Sequence, residues 1–302
     1  MNTGHIILTT GCNIHCSYCY HNSVKGQENL NGMSIHTYKN GMSLLKSLGV
    51  SEINLTGGEP LIVKNINEYI SIANDFGLNV GLSTNAKGLS KQRIDELVAF
   101  GVTRFAFSID SLDERETEKV RSGSNVKNIL NVIAHVKTLK NISLSITAVI
   151  TAVNYKSLYK LMLFSARNNI TLNIQPVFLG DASNESPLLN FDYCSSEWGR
   201  FVRTMEIWGN HYKVSEYQKI VVKYLQTGVV DYQKCGLKGK VLVIYPSGDV
   251  FPCFFANEFF MGNVNTDKQS ILCENLLGFS HSGNSCYRSA CIVSGYNWEA
   301  YL

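Results

Sequence analysis

The sequence predicts an α/β fold: an open, partial (β/α)6 barrel followed by a small C-terminal β-hairpin and helix. Three observations predict it. Short β-rich runs alternate with amphipathic stretches six times over the first 180 residues. Gly49, Gly77 and Gly101 stand where a helix hands over to the next strand, as C-terminal caps should. The 302 residues are 45 % apolar and 17 % charged, which suits one large domain with a small appendage and argues against disorder. Repeated strand–helix alternation makes a parallel sheet with right-handed crossovers. Six units are too few for an eight-unit barrel, so the sheet stays open, with ligands expected at the carboxyl ends of its strands.

Each element has its own signal. The strands are HIILTT, EINLTG, NVGLSTN, RFAFSID, ISLSITAVI and TLNIQPV. Ile35, Tyr38, Met42, Leu45 and Leu48 recur at helical spacing behind Ser34, a natural N-cap. Val126, Ile129, Ile133 and Val136 mark another helix. In ISLSITAVI, Ile142, Leu144, Ile146, Ala148 and Ile150 alternate with Ser143, Ser145 and Thr147. One polar face suits a cavity that holds something hydrophilic; a solvent-facing edge strand reads the same way. Beyond Val177, SSEWGRFVRTMEIWGN and KVSEYQKIVVKYLQTG read as helices, and VLVIYPSGDVFPCFF as a hairpin turning at Pro246, Ser247, Gly248 and Asp249. The expected division is 1–180 for the barrel, 181–231 for a helical linker and 232–302 for the C-terminal unit.

The net charge of +3 is spread along the chain, so neither a nucleic-acid stripe nor a membrane patch is expected. MNTGHIILTTGC has neither a basic n-region nor a long apolar core, so no signal peptide is expected, and no apolar run approaches the ~20 residues that span a bilayer. A cytoplasmic protein is expected. Disulfides rarely persist there, so nine cysteines point to metal or redox chemistry. Cys12, Cys16 and Cys19 lie within TTGCNIHCSYCYH; Cys235, Cys253, Cys273, Cys286 and Cys291 lie at the back; Cys194 stands alone. Structural zinc takes four ligands, so His15 or His21 could complete a zinc site with the first three thiols. The other reading is a [4Fe–4S] cluster with one iron left open to a ligand that is not protein.

CNIHCSYC resembles the CxxxCxxC motif of the radical S-adenosylmethionine (radical SAM) enzymes, with Tyr18 at the usual aromatic place. LTGGEPL resembles their GGEP motif, and LSTNA, FSIDS with the later EKVRSGS, and QPV follow at the expected strand ends. The resemblance implies a partial (β/α)6 TIM barrel, a [4Fe–4S] cluster on Cys12, Cys16 and Cys19, and SAM on the open iron. It implies that the backbone of Gly57, Gly58 and Glu59, leading into Pro60, and the Glu59 side chain hold the methionine ammonium. It places Thr84, Asn85 and Ser108 near the ribose, Arg121 on the methionine carboxylate and Tyr18 near the adenine. The implied reaction is reductive cleavage of SAM to a 5′-deoxyadenosyl radical, which takes a hydrogen atom from a C–H bond.

The C-terminal unit resembles the auxiliary-cluster appendage of many such enzymes, SPASM in its long form and twitch in its short form. The implied second [4Fe–4S] ligands are Cys235, Cys253, Cys286 and Cys291. The last pair departs from the family, being C-x4-C where C-x2-C is commoner. Cys273, in SILCENLL, reads as core. Cys194 reads as an inert thiol or, more sharply, as a hydrogen-atom donor in an epimerase. Family members with this appendage most often modify ribosomally made peptides; others act on aminoglycoside-type sugars, and one branch rearranges GTP. A flavodoxin- or ferredoxin-type reductant is implied as partner. The first strand begins at about residue 5, so a peptide leader would need a separate binding protein or direct binding.

Overall fold

A computed structural model describes residues 3–19, 32–177, 191–211, 221, 223, 241–254 and 259–278. The predicted helix over 213–228 lies outside them save for residues 221 and 223. Six strands run parallel: β1 (Thr3–Thr9), β3 (Glu52–Gly57), β4 (Asn79–Thr84), β5 (Val102–Ser108), β7 (Ser143–Ile150) and β8 (Thr171–Pro176). Helices α1 (Ile35–Ser47), α2 (Ile66–Asp75), α3 (Lys91–Ala99), α5 (Val126–Val136) and α6 (Leu158–Asn168) alternate with them. A short α4 (Glu114–Val120) follows β5. The sheet does not close, leaving the open partial barrel that the alternation implies.

Local signals act as expected. Ser34 caps α1 by accepting from Thr37 N, and Asn125 caps α5 through Asn128 N. Gly49, Gly77 and Gly101 carry φ of +71°, +74° and +113°, conformations that side chains resist. The apolar stripe of α5 is fully used, with Val126, Ile129, Val132, Ile133 and Val136 all buried. Each such side chain contributes roughly 1.5–3 kcal/mol.

The two faces of the sheet differ. A Cβ on Gly4 would strike Leu45 of α1, so Gly4, Ile6 and Leu8 face the helices. Odd positions of β1 face the other way, and the register carries that inner face across the sheet. One row joins His5, Asn54, Gly81, Arg104 and Ser143; another reaches Ser108, Thr147 and Asn173. The polar face read from β7 is therefore one wall of a polar-lined interior. Asn54 Nδ2 donates to Ser83 Oγ at 3.0 Å, and Arg104 pairs with Glu52.

The C-terminal hairpin is β9 (Val241–Ile244) and β10 (Asp249–Phe251), and it shares this sheet. β9 lies parallel to β1, with His5 beside Val243; β10 returns antiparallel, and β11 (Gly262–Asn263) follows it. Helix α8 (Gln269–Gly278) lies on α1, with Gln269 Nε2 donating to Ser43 O at 3.0 Å, and the turn ahead of it accepts from Asn40 Nδ2 at Asn265 Oδ1, 3.2 Å away. Helix α7 (Ser196–His211) packs on α6. Among the described residues no helix is long and apolar enough to cross a membrane.

Candidate active site

Three segments meet at the carboxyl ends of β1, β3 and β4. The first is the cysteine loop after β1. The GGEP turn packs on it backbone to backbone: Gly58 N donates to Thr9 O at 2.7 Å and Glu59 N to Gly11 O at 2.9 Å. Both glycines are obligatory. A Cβ on Gly58 would lie 1.9 Å from Gly11 O, and one on Gly57, at φ +127°, 2.3 Å from Thr9 O.

Behind the turn, the Glu59 carboxylate is almost fully buried and accepts three protein donors. Oε1 takes Leu61 N at 3.1 Å and the Thr84 hydroxyl at 2.8 Å, and Oε2 takes Asn85 N at 2.7 Å. Burial still pushes its pKa up against those bonds. A carboxylate offers about four acceptor sites, so about one remains. Pro60 opens a single 3-10 turn, Pro60–Ile62, which Glu59 caps.

The second clamp is a two-stranded ribbon. β2 (His15–Cys16) pairs antiparallel with β6 (Arg121–Ser122), and Ser17 N donates to Val120 O at 2.9 Å. The backbone of Arg121 is thus paired directly with the cysteine loop. Its side chain is buried: Nη1 donates to the Tyr18 hydroxyl at 2.6 Å and lies 3.6 Å from Asp110 Oδ2. Tyr18 in turn donates to Asp110 Oδ2. Burial holds the Tyr18 phenol well above its usual range, so it stays neutral. Burial alone would lower the Arg121 pKa, but Tyr18 and Asp110 outweigh it and raise it. Among the described residues Arg121 Nε has no hydrogen-bond partner.

Asp110 is the residue that sequence reasoning missed. It is fully buried, and its Oδ1 accepts from Val149 N at 2.9 Å, joining the site to β7. FSIDS draws attention to Ser108; the available signal was an acid ending an apolar strand. Ser108 itself is half-buried, in register with Thr147 on the inner face.

The third segment follows β4. Asn85 is buried, and its Nδ2 donates to Asn13 Oδ1 at 2.8 Å and approaches Cys12 Sγ at 3.7 Å. Lys87 Nζ donates to Asn13 O at 2.9 Å. Ala86, at φ +56°, is held by Asn128 Nδ2 on its carbonyl.

Cys12 is exposed, and Cys16 and Cys19 are half-buried. Desolvation pushes the Cys12 thiol up despite that exposed edge, and takes Cys16 to about 11. Ligation needs thiolates, so loading a cluster would release protons. Among the described residues no three His, Cys, Asp or Glu side chains converge on one metal ion. A cubane needs no such convergence, because it spreads its thiolates over separate irons. His21 lies outside the described residues.

Of the expected auxiliary ligands, Cys235, Cys286 and Cys291 lie outside the described residues, and Cys253 is half-buried just after β10. Because β10 runs against β1, Cys253 comes to the amino end of the sheet, opposite the cysteine loop. Its neighbour Phe254 stands edge-on to His5, 4.8 Å between centroids. Cys273 packs α8 against α1, with Sγ 3.4 Å from Ser47 Oγ. Cys194 is exposed in the turn before α7, near an aromatic cluster of Tyr155, Phe191, Trp198 and Phe201. A groove of about 740 Å³ lies there, lined by Tyr193, Trp198, Arg200 and Arg203 among others.

A parallel open sheet that seats a three-cysteine loop against a GGEP turn defines the class. The Radical SAM superfamily model matches residues 6–164, more than half of the chain, and the chain belongs to that family. It is similar to a GTP 3′,8-cyclase of Campylobacter fetus, 28 % identical over 195 residues, covering 62 % of this chain and 59 % of the relative. It is also similar to a PqqA peptide cyclase of Bradyrhizobium diazoefficiens, 29 % identical over 118 residues, covering 39 % of this chain and 31 % of the relative. The sporulation killing factor maturation protein SkfB of Bacillus subtilis is 29 % identical over 42 % of this chain and 30 % of its own length. The chain thus spans less than two thirds of the length of each of these relatives. Among solved structures, anSMEcpe with bound AdoMet matches at TM-score 0.68 and 18 % identity, over 91 % of this chain and 80 % of that one. Streptococcus suis SuiB bound to S-adenosylmethionine matches at 0.68 and 16 %, over 97 % and 71 %. These two likenesses establish the fold.

Proposed function

We propose that this chain cleaves S-adenosylmethionine reductively to a 5′-deoxyadenosyl radical and uses it to take a hydrogen atom from a ribosomally made peptide, leading to oxidation, cross-linking or epimerisation. The observation that carries the reading is the backbone-to-backbone seating of the GGEP turn on the three-cysteine loop, at the carboxyl end of a polar-lined open barrel. The bound cluster and SAM supply the electron transfer and the C–S cleavage.

The residues present fit those groups. Cys12, Cys16 and Cys19 offer three thiolates and leave one iron for SAM. An ammonium needs acceptors; the carbonyls of the GGEP turn and the remaining site on Glu59 are such acceptors. The unpartnered Nε–H of Arg121 is a donor for the methionine carboxylate. The Tyr18 hydroxyl is engaged, which leaves its ring for the adenine. The side chains of Thr84 and Asn85 are engaged with protein, so in this reading they shape the ribose wall while Ser108 meets it. Cys235, Cys253, Cys286 and Cys291 are proposed to carry a second [4Fe–4S] cluster, which would accept an electron from a product radical.

Relatives named as a PqqA peptide cyclase and as SkfB favour a peptide, as does a solved complex of SuiB with precursor peptide SuiA. A second reading is a dehydrogenase or epimerase of a sugar or aminoglycoside-type intermediate. The rows of amides and hydroxyls on the inner face favour it, and BtrN in complex with AdoMet and 2-DOIA matches at TM-score 0.51.

The test is an anaerobic reaction of reconstituted protein with SAM and a reductant in deuterated water, read by mass spectrometry. Formation of 5′-deoxyadenosine is expected, and its absence refutes the enzyme reading. A peptide lighter by two mass units means oxidation, and one heavier by one unit means epimerisation. If only a sugar is altered, the peptide reading fails. Should epimerisation occur, Cys194→Ala abolishes the deuterated product if Cys194 is the donor.

A further inference from the structure

Asn85 sits where the three segments of the site cross, and its amide orientation is fixed by chemistry. Lys87 N–H can only donate, and it points at Asn85 Oδ1 at 2.8 Å. The NH2 group must therefore face the other way, toward the cysteine loop. One of its hydrogens is taken by Asn13 Oδ1 at 2.8 Å, and the other is directed at Cys12 Sγ at 3.7 Å. The residue is buried, and its backbone N–H is anchored on Glu59 Oε2 at 2.7 Å. Lys87 Nζ on Asn13 O steadies the loop from the other side. The N–H···S contact is thus built from every direction.

Hydrogen bonds to ligating sulfurs are among the levers that set an iron–sulfur potential, because a donor stabilises the added negative charge of the reduced state. We infer that Asn85 is a positioning and tuning residue: its side-chain N–H···S bond to Cys12 makes the adjoining cluster easier to reduce. The inference rests on the cluster reading above. Through its backbone N–H on Glu59 and its side chain on Asn13 and Cys12, Asn85 ties the GGEP turn and the β4 end to the cysteine loop.

The experiment is an anaerobic redox titration of reconstituted full-length protein without SAM, followed by electron paramagnetic resonance. The signal titrated is the one that changes shape when SAM is added, which separates it from any auxiliary cluster. In Asn85→Leu, reduction should become about tenfold less favourable, which for one electron is about 59 mV to the negative side. Asn13→Ala breaks the neighbouring amide link but keeps the N–H···S donor, and should hold the wild-type potential. An Asn85→Leu protein that loads its cluster at the wild-type potential overturns the inference. If that variant fails to load, wild-type protein labelled with [15N]asparagine decides: a 15N coupling to the reduced cluster supports the bond, and its absence overturns it. No SAM-responsive signal in wild-type protein would sink the cluster reading itself.

Discussion

The substitution His5→Leu should flatten the acid side of the stability curve by an amount that the fold fixes. His5 is buried on the inner face, and desolvation, helped by Arg104, holds its pKa down at about 3 against an ordinary 6.5. In the unfolded chain the imidazole takes up a proton near 6.5; in the folded chain it stays neutral until about 3. The depressed folded value means that the contribution is complete above pH 6.5 and is lost as pH falls toward 3. Between neutral pH and pH 5 the loss is about 2 kcal/mol, at 1.36 kcal/mol per unit over roughly 1.5 units. Unfolding a chain of this length carries an entropy of roughly 0.6 kcal/mol/K, so Tm drops by about 3 °C from this source. Glu52 and Glu59, whose pKa values burial raises, act in the opposite sense, but they are common to both proteins. The assay is anaerobic calorimetry of wild type and His5→Leu from pH 7.5 to 5. The wild-type Tm minus the His5→Leu Tm should fall by about 3 °C between pH 7.5 and 5. A gap that stays constant across that range refutes the reasoning.

Gly58→Ala should abolish iron loading at the first site, because its Cβ meets Gly11 O; Gly88→Ala, at φ +74° with nothing within 4 Å, should cost about 1–2 kcal/mol and leave iron unchanged. Asp110→Asn leaves Arg121 without its buried counter-charge and should lower stability by about 3–5 kcal/mol, measured by thermal unfolding of the anaerobic protein. Cys253→Ala should remove about half of the bound iron if the chain carries two four-iron clusters, whereas Cys273→Ala should remove none, since that thiol packs α8 on α1.

Local pattern made much of this fold legible. Alternation located EINLTG as β3 residue for residue, and a continuous 3.6-residue stripe located α5. Ser34 and Asn125 act as caps because a short polar side chain meets unpaired N–H groups at a helix start. What escaped were relations between distant segments. Nothing in RS marks Arg121–Ser122 as a strand, because it becomes one only against His15–Cys16. Arg104 and Glu52 each look like surface charges in an apolar run, and only the register of three strands brings them together inside. Asp110 reads as a turn residue until the fold closes Tyr18 and Arg121 over it. The hairpin was legible as a hairpin, but its union with β1 was not, since a parallel partner can lie anywhere along the chain.

That union bears on how the molecule is made. All seven residues of β1 are buried, and one of its edges is covered by a segment some 240 residues downstream. During synthesis β1, β3 and their neighbours can assemble while residues 241–244 are still inside the ribosome. Until those residues emerge, β1 offers a bare row of peptide groups beside the cysteine loop, open to pairing with another chain. A non-local parallel pairing closes slowly. Yield of this protein should therefore depend on growth temperature and chaperone supply, and a chain stopped before Val241 should aggregate through its first strand.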